Sequence, residues 1–188
     1  MPGAAAAQDF GVMNSAETIN RGNFKLMVNP IVFFGRDGAD SEVGVGVSGG
    51  YGFTDRFDIE AKVAFFEDVT FVGADAEYWL VRNEPVDVAV IGGFHGGNAD
   101  IGFDTAGLDF TFLASGHVSP RLELYGALDL AVNSFREDFI DDGFTTVHLV
   151  PGVEYAATPD IDLVAEFGIG LNDDSYHYLS GGVAFYFR

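Results

Sequence analysis

The sequence predicts an all-β protein: an antiparallel up-and-down barrel of about ten strands, with eight as the alternative count. Three observations support this fold class. From Phe24 onward, apolar and polar residues alternate with a period of two, which is typical of strands that bury one face. Short and longer connections take turns along the chain. No segment has a convincing helical period.

The predicted strands follow one another with brief interruptions. In the segment 56–65, for example, Phe57, Ile59 and Val63 alternate with acidic or basic residues. The other predicted strands repeat this scheme, and the full set occupies residues 23–34, 42–53, 56–65, 70–80, 86–95, 105–115, 122–133, 147–156, 161–171 and 178–187.

Four short connections separate pairs of these strands. They span residues 53–57, 81–87, 118–123 and 157–162, and they are rich in Thr, Ser, Asn, Asp and Pro, which favour tight turns. The connections between them are mostly longer and acidic. Successive turns of an up-and-down barrel fall on opposite rims, so the alternation of short and long connections supports this topology.

Two prolines interrupt the pattern. Pro30 and Pro151 fall inside predicted strands, where each removes a hydrogen-bond donor from the ladder. A closed barrel has no edge strand on which a proline is harmless. A β-bulge at each proline is one arrangement that would accommodate them.

Composition excludes several classes of function. The chain has 188 residues and a formal charge of −20, from 29 acidic and 9 basic side chains. So few basic residues argue against nucleic acid as a partner, because phosphate contacts need Lys and Arg. The absence of Cys excludes disulfides, thiolate metal sites and a cysteine nucleophile.

Alternation alone fits two kinds of barrel. A soluble, lipocalin-like barrel points its apolar face inward and binds an apolar ligand, whereas a membrane barrel turns that face to lipid and keeps a polar lumen. Small residues on the polar face favour the membrane barrel, as do aromatic residues beside the short turns. The small residues include Gly44, Gly46, Gly50, Gly52, Gly93 and Gly107, and the aromatic residues are Phe53, Phe57, Tyr78 and Tyr155.

The C-terminal strand carries the most specific signal. The segment "LSGGVAFYFR" alternates apolar residues almost to the last position. With the other strands and turns, it resembles the small bacterial outer-membrane β-barrel proteins. The resemblance implies a multi-pass barrel in the outer membrane, short turns that face the periplasm, and a C-terminal signal read by the barrel assembly machinery. That signal would comprise Leu179, Val183, Phe185 and Phe187, although here Arg188 follows the final Phe.

Residues 1–20 are predicted to be an N-terminal lead segment, and residues 21–188 a single barrel domain. The motif "AAAAQ" resembles the end of a secretory signal, so the lead segment is a signal remnant or an extension. It could lie in the periplasm, plug the lumen or bind another subunit.

The polar face predicts an acidic lumen. Lys62 is the only basic residue that we place among its carboxylates, so we expect a hydrated interior that favours cations. The predicted lumen residues are Asp58, Glu60, Asp75, Glu77, Asp87, Asp109, Glu123, Asp129, Glu154, Asp162 and Glu166.

No motif predicts catalysis, a cofactor or a defined metal site. The four His residues have no metal-binding or catalytic spacing, and no nucleophile motif is present. Weak candidates for loop-bound cations are Asp138, Asp141, Asp142, Asp173 and Asp174.

The distribution of charge predicts an orientation. Arg56, Arg82 and Arg121 lie in short turns, and Arg21, Lys25 and Arg188 lie near the chain ends, so the basic residues collect at one rim. The opposite rim is acidic and is expected to be extracellular.

The sequence therefore predicts an outer-membrane barrel with a structural or interaction role, in contact with membrane lipid. A protein partner could bind the loops or residues 1–20. The alternatives are a narrow cation-preferring pore and a soluble lipocalin-like barrel, and a lipid- or peptide-cleaving enzyme is the least favoured.

Overall fold

Ten antiparallel strands close into one barrel. The computed structural model describes residues 10–36, 40–82, 85–99, 104–137 and 140–188. Each strand pairs with its neighbours in sequence, and β1 pairs with β10. This confirms the predicted fold class and strand count. The strands are β1 (Phe24–Phe33), β2 (Glu42–Thr54), β3 (Phe57–Phe65), β4 (Val69–Val81), β5 (Asp87–Ala99), β6 (Asp104–Ser119), β7 (Leu122–Glu137), β8 (Ile140–Thr158), β9 (Ile161–Gly170) and β10 (Tyr178–Phe187).

The wall has an apolar outer face and a largely polar inner face. Successive side chains of a strand point to opposite sides. On β3, Ile59 and Phe65 are exposed, whereas Asp58 and Glu60 are buried. Because the wall is closed, the buried face surrounds the lumen and the exposed apolar face is the outside of the barrel.

Three strands are at least four residues longer than the sequence predicts. β6, β7 and β8 have 16, 16 and 19 residues. The predicted loop at 133–143 is mostly strand, since the β7–β8 ladder continues to the pair Glu137–Ile140. Here Ser134, Arg136, Asp141 and Gly143 stand where the alternation would place apolar residues, so the pattern that marks a strand in the sequence is lost although the backbone pairing persists.

The two prolines are accommodated without the β-bulges that the sequence analysis considers. The β1–β10 ladder is interrupted over residues 29–30 and the β8–β9 ladder over 150–151, and both resume in unchanged register. Pro30 and Pro151 remain paired with the strand on their other side. A local gap in one ladder accommodates each missing N–H without an extra residue.

Bulges occur instead beside the short turns. Four pairings shift register at the ends of β2, β4, β6 and β8, each within two residues of a short turn. The shifts lie between Gly52 and Thr54, Trp79 and Val81, His117 and Ser119, and Ala156 and Thr158.

The N-terminal segment runs inside the barrel. Residues 10–23, which we call the plug segment, have no regular secondary structure. Val12, Met13, Ala16 and Ile19 are at most 5% exposed. The segment leaves the lumen at the short-turn rim, where the N–H of Gly22 donates to the carbonyl of Gly52 (2.8 Å). The described part of the lead segment therefore fills the lower half of the lumen.

Aromatic side chains fill the upper half, near the longer connections. Phe33, Phe66, Phe71 and Tyr178 pack there, and we call these four residues the aromatic layer. The ring of Phe33 lies 5.7 Å from that of Phe66 and 5.6 Å from that of Tyr178. All four side chains are buried. The lumen is thus filled by backbone at one end and by side chains at the other.

Candidate functional site

The eleven acidic residues that the sequence places in the lumen lie on the inner side of the wall. Buried carboxylates are costly unless they are hydrogen-bonded or paired with a cation. Their partners therefore define the chemistry of the lumen. Asp58, Glu60, Glu77, Asp87, Glu123 and Glu166 are buried, and Asp75, Asp109, Asp129, Glu154 and Asp162 are half-buried.

A buried ion pair joins β1 to β3. The Nζ atom of Lys25 lies 2.7 Å from Oε1 of Glu60, and both side chains are about 95% buried, with exposures of 5% and 4%. The hydroxyl of Ser48 donates to Oε2 of Glu60 (2.8 Å), and the amide of Asn14 in the plug segment donates to Oε1 (3.1 Å). The sequence predicts that Lys25 lies at the rim and that Lys62 is the only basic residue among the lumen carboxylates. Both statements are wrong, because Lys25 lies on the inward face of β1.

Other lumen carboxylates are partnered by residues of the wall. Lys62 forms an ion pair with Asp75. The Oδ2 atom of Asp109 lies 2.9 Å from Nδ1 of His95. Two further carboxylates accept hydrogen bonds from the wall. Thr111 Oγ1 donates to Asp129 (2.6 Å), and Trp79 Nε1 donates to Asp87 (3.2 Å).

Glu166 anchors the plug segment. Its two oxygens accept the backbone N–H groups of Val12 (2.9 Å) and Met13 (2.7 Å). They also accept the hydroxyls of Tyr125 (2.7 Å) and Tyr178 (2.9 Å). Tyr178 belongs to the aromatic layer, so this one carboxylate connects the two fillings of the lumen.

Further wall groups accept backbone N–H groups of the plug segment. The N–H of Ile19 donates to Oδ2 of Asp58 (2.6 Å). The N–H of Ala16 donates to the hydroxyl of Ser115 (3.0 Å). A non-helical segment inside a barrel cannot satisfy its own N–H groups, so the acidic wall supplies the acceptors that it needs.

A polar cavity of about 160 Å³ remains at the short-turn end of the lumen. Its carboxylates include Glu77, whose Oε1 atom is buried without a hydrogen-bond partner among the described residues. A polar site of this size can hold several water molecules. Its charged lining residues are Glu17, Lys25, Asp58, Glu60, Glu77, Glu154, Asp160, Asp162 and Arg188.

Three of the four histidines take part in structural hydrogen bonds. Nε2 of His95 lies 2.7 Å from Oδ1 of Asn133, and Nε2 of His148 lies 3.0 Å from the carbonyl of Tyr176. His177 is exposed near the upper rim and accepts the N–H of Gly170.

His117 differs from the others because it lies beside two carboxylates. Potential ligand atoms of Glu17, His117 and Glu123 all lie within 4.8 Å of one another. Partial desolvation raises the pKa of Glu17, and the nearby Glu123 carboxylate raises it further, whereas His117 lowers it. Sequence analysis missed this cluster, because Glu17 lies in the lead segment, where no periodic pattern assigns a position.

The five loop-cation candidates are not on one connection. Asp141 and Asp142 belong to β8, and Asp138 lies outside the described residues. Asp173 and Asp174 lie between β9 and β10 and are exposed, and Oδ1 of Asp173 is 3.1 Å from Nη2 of Arg36.

The candidate C-terminal signal lies on the outer face of β10. Leu179 and Phe187 are 49% and 52% exposed, and Val183 and Phe185 are half-buried on the same face. β10 is paired on both sides, with Phe187 opposite Phe24 of β1.

A closed barrel with an apolar outer face and a filled acidic lumen defines an integral membrane β-barrel protein. The chain belongs to the family described as the outer membrane protein beta-barrel domain, whose model matches residues 2–187. The protein is therefore a bacterial outer-membrane barrel that sits in membrane lipid. In the described part of the chain there is no helix long and apolar enough to cross a membrane.

Solved structures share the fold at low sequence identity. An outer membrane channel from Pseudomonas putida F1 has a TM-score of 0.59 at 12% identity, over 92% of this chain and 98% of that chain. The KdgM porin has a TM-score of 0.50 at 10% identity, over 87% and 99%. The translocator domain of the autotransporter NalP from Neisseria meningitidis has a TM-score of 0.50 at 8% identity, over 90% and 89%. No curated protein sequence matches significantly.

Proposed function

We propose that this protein is a sealed outer-membrane barrel with a structural or interaction role. The observation that carries this proposal is the position of the plug segment, which occupies the lower half of the lumen beneath the aromatic layer. Ala16 and Phe71 are both fully buried. An ion that crossed the barrel would have to displace the backbone of the plug segment and then the rings of the aromatic layer.

The outer rim is the proposed interaction surface. Its exposed acidic residues include Asp40, Glu67, Asp68, Asp173 and Asp174. Fixed negative charge attracts cations over roughly 8–10 Å at moderate salt. Divalent cations held there would bridge the loops to anionic lipid headgroups or to an acidic protein partner. The barrel assembly machinery is the proposed partner of the C-terminal strand, as in other proteins of this fold.

Planar-bilayer recording tests the sealed barrel directly. The full-length chain is expected to insert without steady open levels. The matched variant lacks residues 1–22 and keeps every strand. Steady conductance of the full-length chain would contradict the proposal, because the plug segment would then fail to block the lumen.

A narrow cation-preferring pore is the second candidate, and the acidic cavity at the short-turn end favours it. If the plug segment leaves the lumen, carboxylates such as Asp58, Glu60 and Glu77 would line the entrance. If the rings of the aromatic layer also move aside, the variant that lacks residues 1–22 is expected to conduct and to prefer K⁺ over Cl⁻ in a salt gradient. Anion preference would count against this role, and a silent variant would leave only the sealed barrel.

Trypsin added to intact cells tests the proposed orientation. Arg136 lies on the long β7–β8 hairpin at the upper rim, and Arg82 lies in the β4–β5 turn at the opposite rim. We expect cleavage after Arg136 and protection of Arg82 until the outer membrane is opened. Cleavage after Arg82 with protection of Arg136 would contradict the proposed orientation and favour the opposite one.

A further inference from the structure

Three side chains from separate segments meet at the short-turn end of the lumen. They are Glu17 of the plug segment, His117 of β6 and Glu123 of β7. We propose that they form a binding site for a divalent transition-metal ion of the zinc type, which fastens the plug segment to the barrel wall.

The fold brings the three groups together through two independent constraints. His117 and Glu123 are directly opposite each other across the β6–β7 pairing, beside a tight turn and a bulge. The hydrogen bond from the N–H of Ala16 to Ser115, two residues before His117, fixes the position of Glu17. Two potential ligands therefore come from one hairpin, and the third comes from the plug segment that lies against it.

The distance between Glu17 and His117 fits a shared metal ion better than a direct hydrogen bond. Oε1 of Glu17 lies 3.8 Å from Nδ1 of His117, which is too long for a hydrogen bond. Two ligands of a tetrahedral zinc site with bonds of about 2.0–2.1 Å are roughly 3.4 Å apart. Small side-chain rotations of Glu17 and His117, which are both partly exposed, would bring the pair to that separation.

The state of Glu123 is an independent indication of a ligand. This side chain is only 4% exposed, and its Oε1 atom has no hydrogen-bond partner within the described part of the chain. A buried carboxylate oxygen without a partner is costly, and a second carboxylate close by increases the cost. A bound cation would satisfy Glu123 and remove the repulsion between it and Glu17.

The donor set selects the class of metal. Calcium and magnesium favour oxygen ligands throughout, whereas an imidazole suits zinc and its first-row neighbours. Two carboxylates neutralise a divalent charge, and three protein ligands leave a fourth position for water. We therefore choose Zn²⁺ as the probe.

Zinc titration of the full-length barrel tests the site. The protein is folded in detergent, stripped with a chelator and titrated with Zn²⁺ by calorimetry. We expect a single saturable zinc ion per chain. His117→Ala, Glu17→Gln and Glu123→Gln should each weaken binding at least about 10-fold, since even the loss of an outer-shell partner costs that much. His177→Ala, at the opposite rim, is the matched control and should bind as the unmodified protein does.

A stability measurement separates loss of the site from loss of the fold. Zinc should raise the unfolding midpoint of the unmodified protein by mass action, and this rise should disappear in His117→Ala. His117 is about half exposed, so its replacement leaves the barrel wall intact, which heat-modifiable gel mobility checks. Absence of saturable binding, or equal binding by His117→Ala, would overturn the proposal and assign any residual zinc to surface carboxylates.

Discussion

The two halves of the lumen are filled by different means. In the upper half, Phe33, Phe66, Phe71 and Tyr178 extend from the strands and pack ring against ring. In the lower half, a segment without secondary structure donates its backbone N–H groups to wall carboxylates. The upper filling depends on volume and the lower filling on specific polar partners. The same strand pattern therefore supports two interiors that should respond differently to substitution.

The largest expected effect is in the lower half. Lys25→Met removes the cationic partner of Glu60 and leaves a buried carboxylate, which should lower the free energy of unfolding by about 4 kcal/mol. Urea unfolding followed by the fluorescence of Trp79, the single tryptophan, measures this. Arg36→Met is the control, because its partner Asp173 is fully exposed, and no measurable change is expected. Equal effects of the two substitutions would contradict the buried pair.

The upper half should lose somewhat less from its best-packed ring. Phe71 is fully buried, and Phe71→Ala leaves a cavity that should cost about 3 kcal/mol in the same unfolding experiment. Phe71→Leu, which keeps most of the volume, should recover a large part of that loss. If the Leu variant were as unstable as the Ala variant, volume would not be the property that holds this half together.

Glu166 tests whether the halves are coupled. Glu166→Gln weakens its charge-assisted hydrogen bonds to the plug segment and to Tyr178, and should cost about 2 kcal/mol. A double-mutant cycle with Tyr178→Phe, measured by urea unfolding, is expected to give non-additive losses, because the two groups share a hydrogen bond. Strict additivity would mean that the fillings are independent.

The smallest expected effect lies at the rim, outside both fillings. The guanidinium of Arg82 lies 4.6 Å from the centroid of the Trp79 ring. Arg82→Ala should cost at most about 1 kcal/mol and should change the emission of Trp79. Arg56→Ala, at another short turn, is the control. A larger loss of unfolding free energy in Arg82→Ala would mean that the contact between Arg82 and Trp79 stabilises the barrel more than an exposed contact should.

An introduced disulfide tests the position of the plug segment without a measurement of stability. The chain has no Cys, so a pair introduced at Ala16 and Ser115 is the only one that can form. We expect oxidation to join them, as seen by mass spectrometry after proteolysis. A pair at Ala16 and Ser41, at the opposite rim, should remain reduced. Oxidation of the pair at Ala16 and Ser41 in place of the pair at Ala16 and Ser115 would contradict the position of the plug segment in the lower half.

The barrel wall was more accessible to sequence analysis than the filling of the lumen. A period of two assigns each strand residue to a face, so the inward positions of Asp58, Glu60 and Glu166 follow from their neighbours alone. The partners of these residues do not follow. Val12 and Met13 are more than 150 residues from Glu166 in sequence, and nothing periodic marks them. The position of Lys25 near the start of the first strand predicts the rim, and its partner Glu60, 35 residues away, is not marked by any pattern.

Strand number has a consequence for what the wall must enclose. An eight-stranded barrel has an interior that side chains alone can fill. Ten strands enlarge the circumference, and the short-turn end of this barrel is occupied by the chain's own N-terminal residues. Four hairpins make up most of this wall, and the first strand of each has a register shift beside its short turn. In a barrel with one hairpin fewer, side chains alone would fill the interior, so the circumference of the wall and the buried N-terminal segment depend on each other.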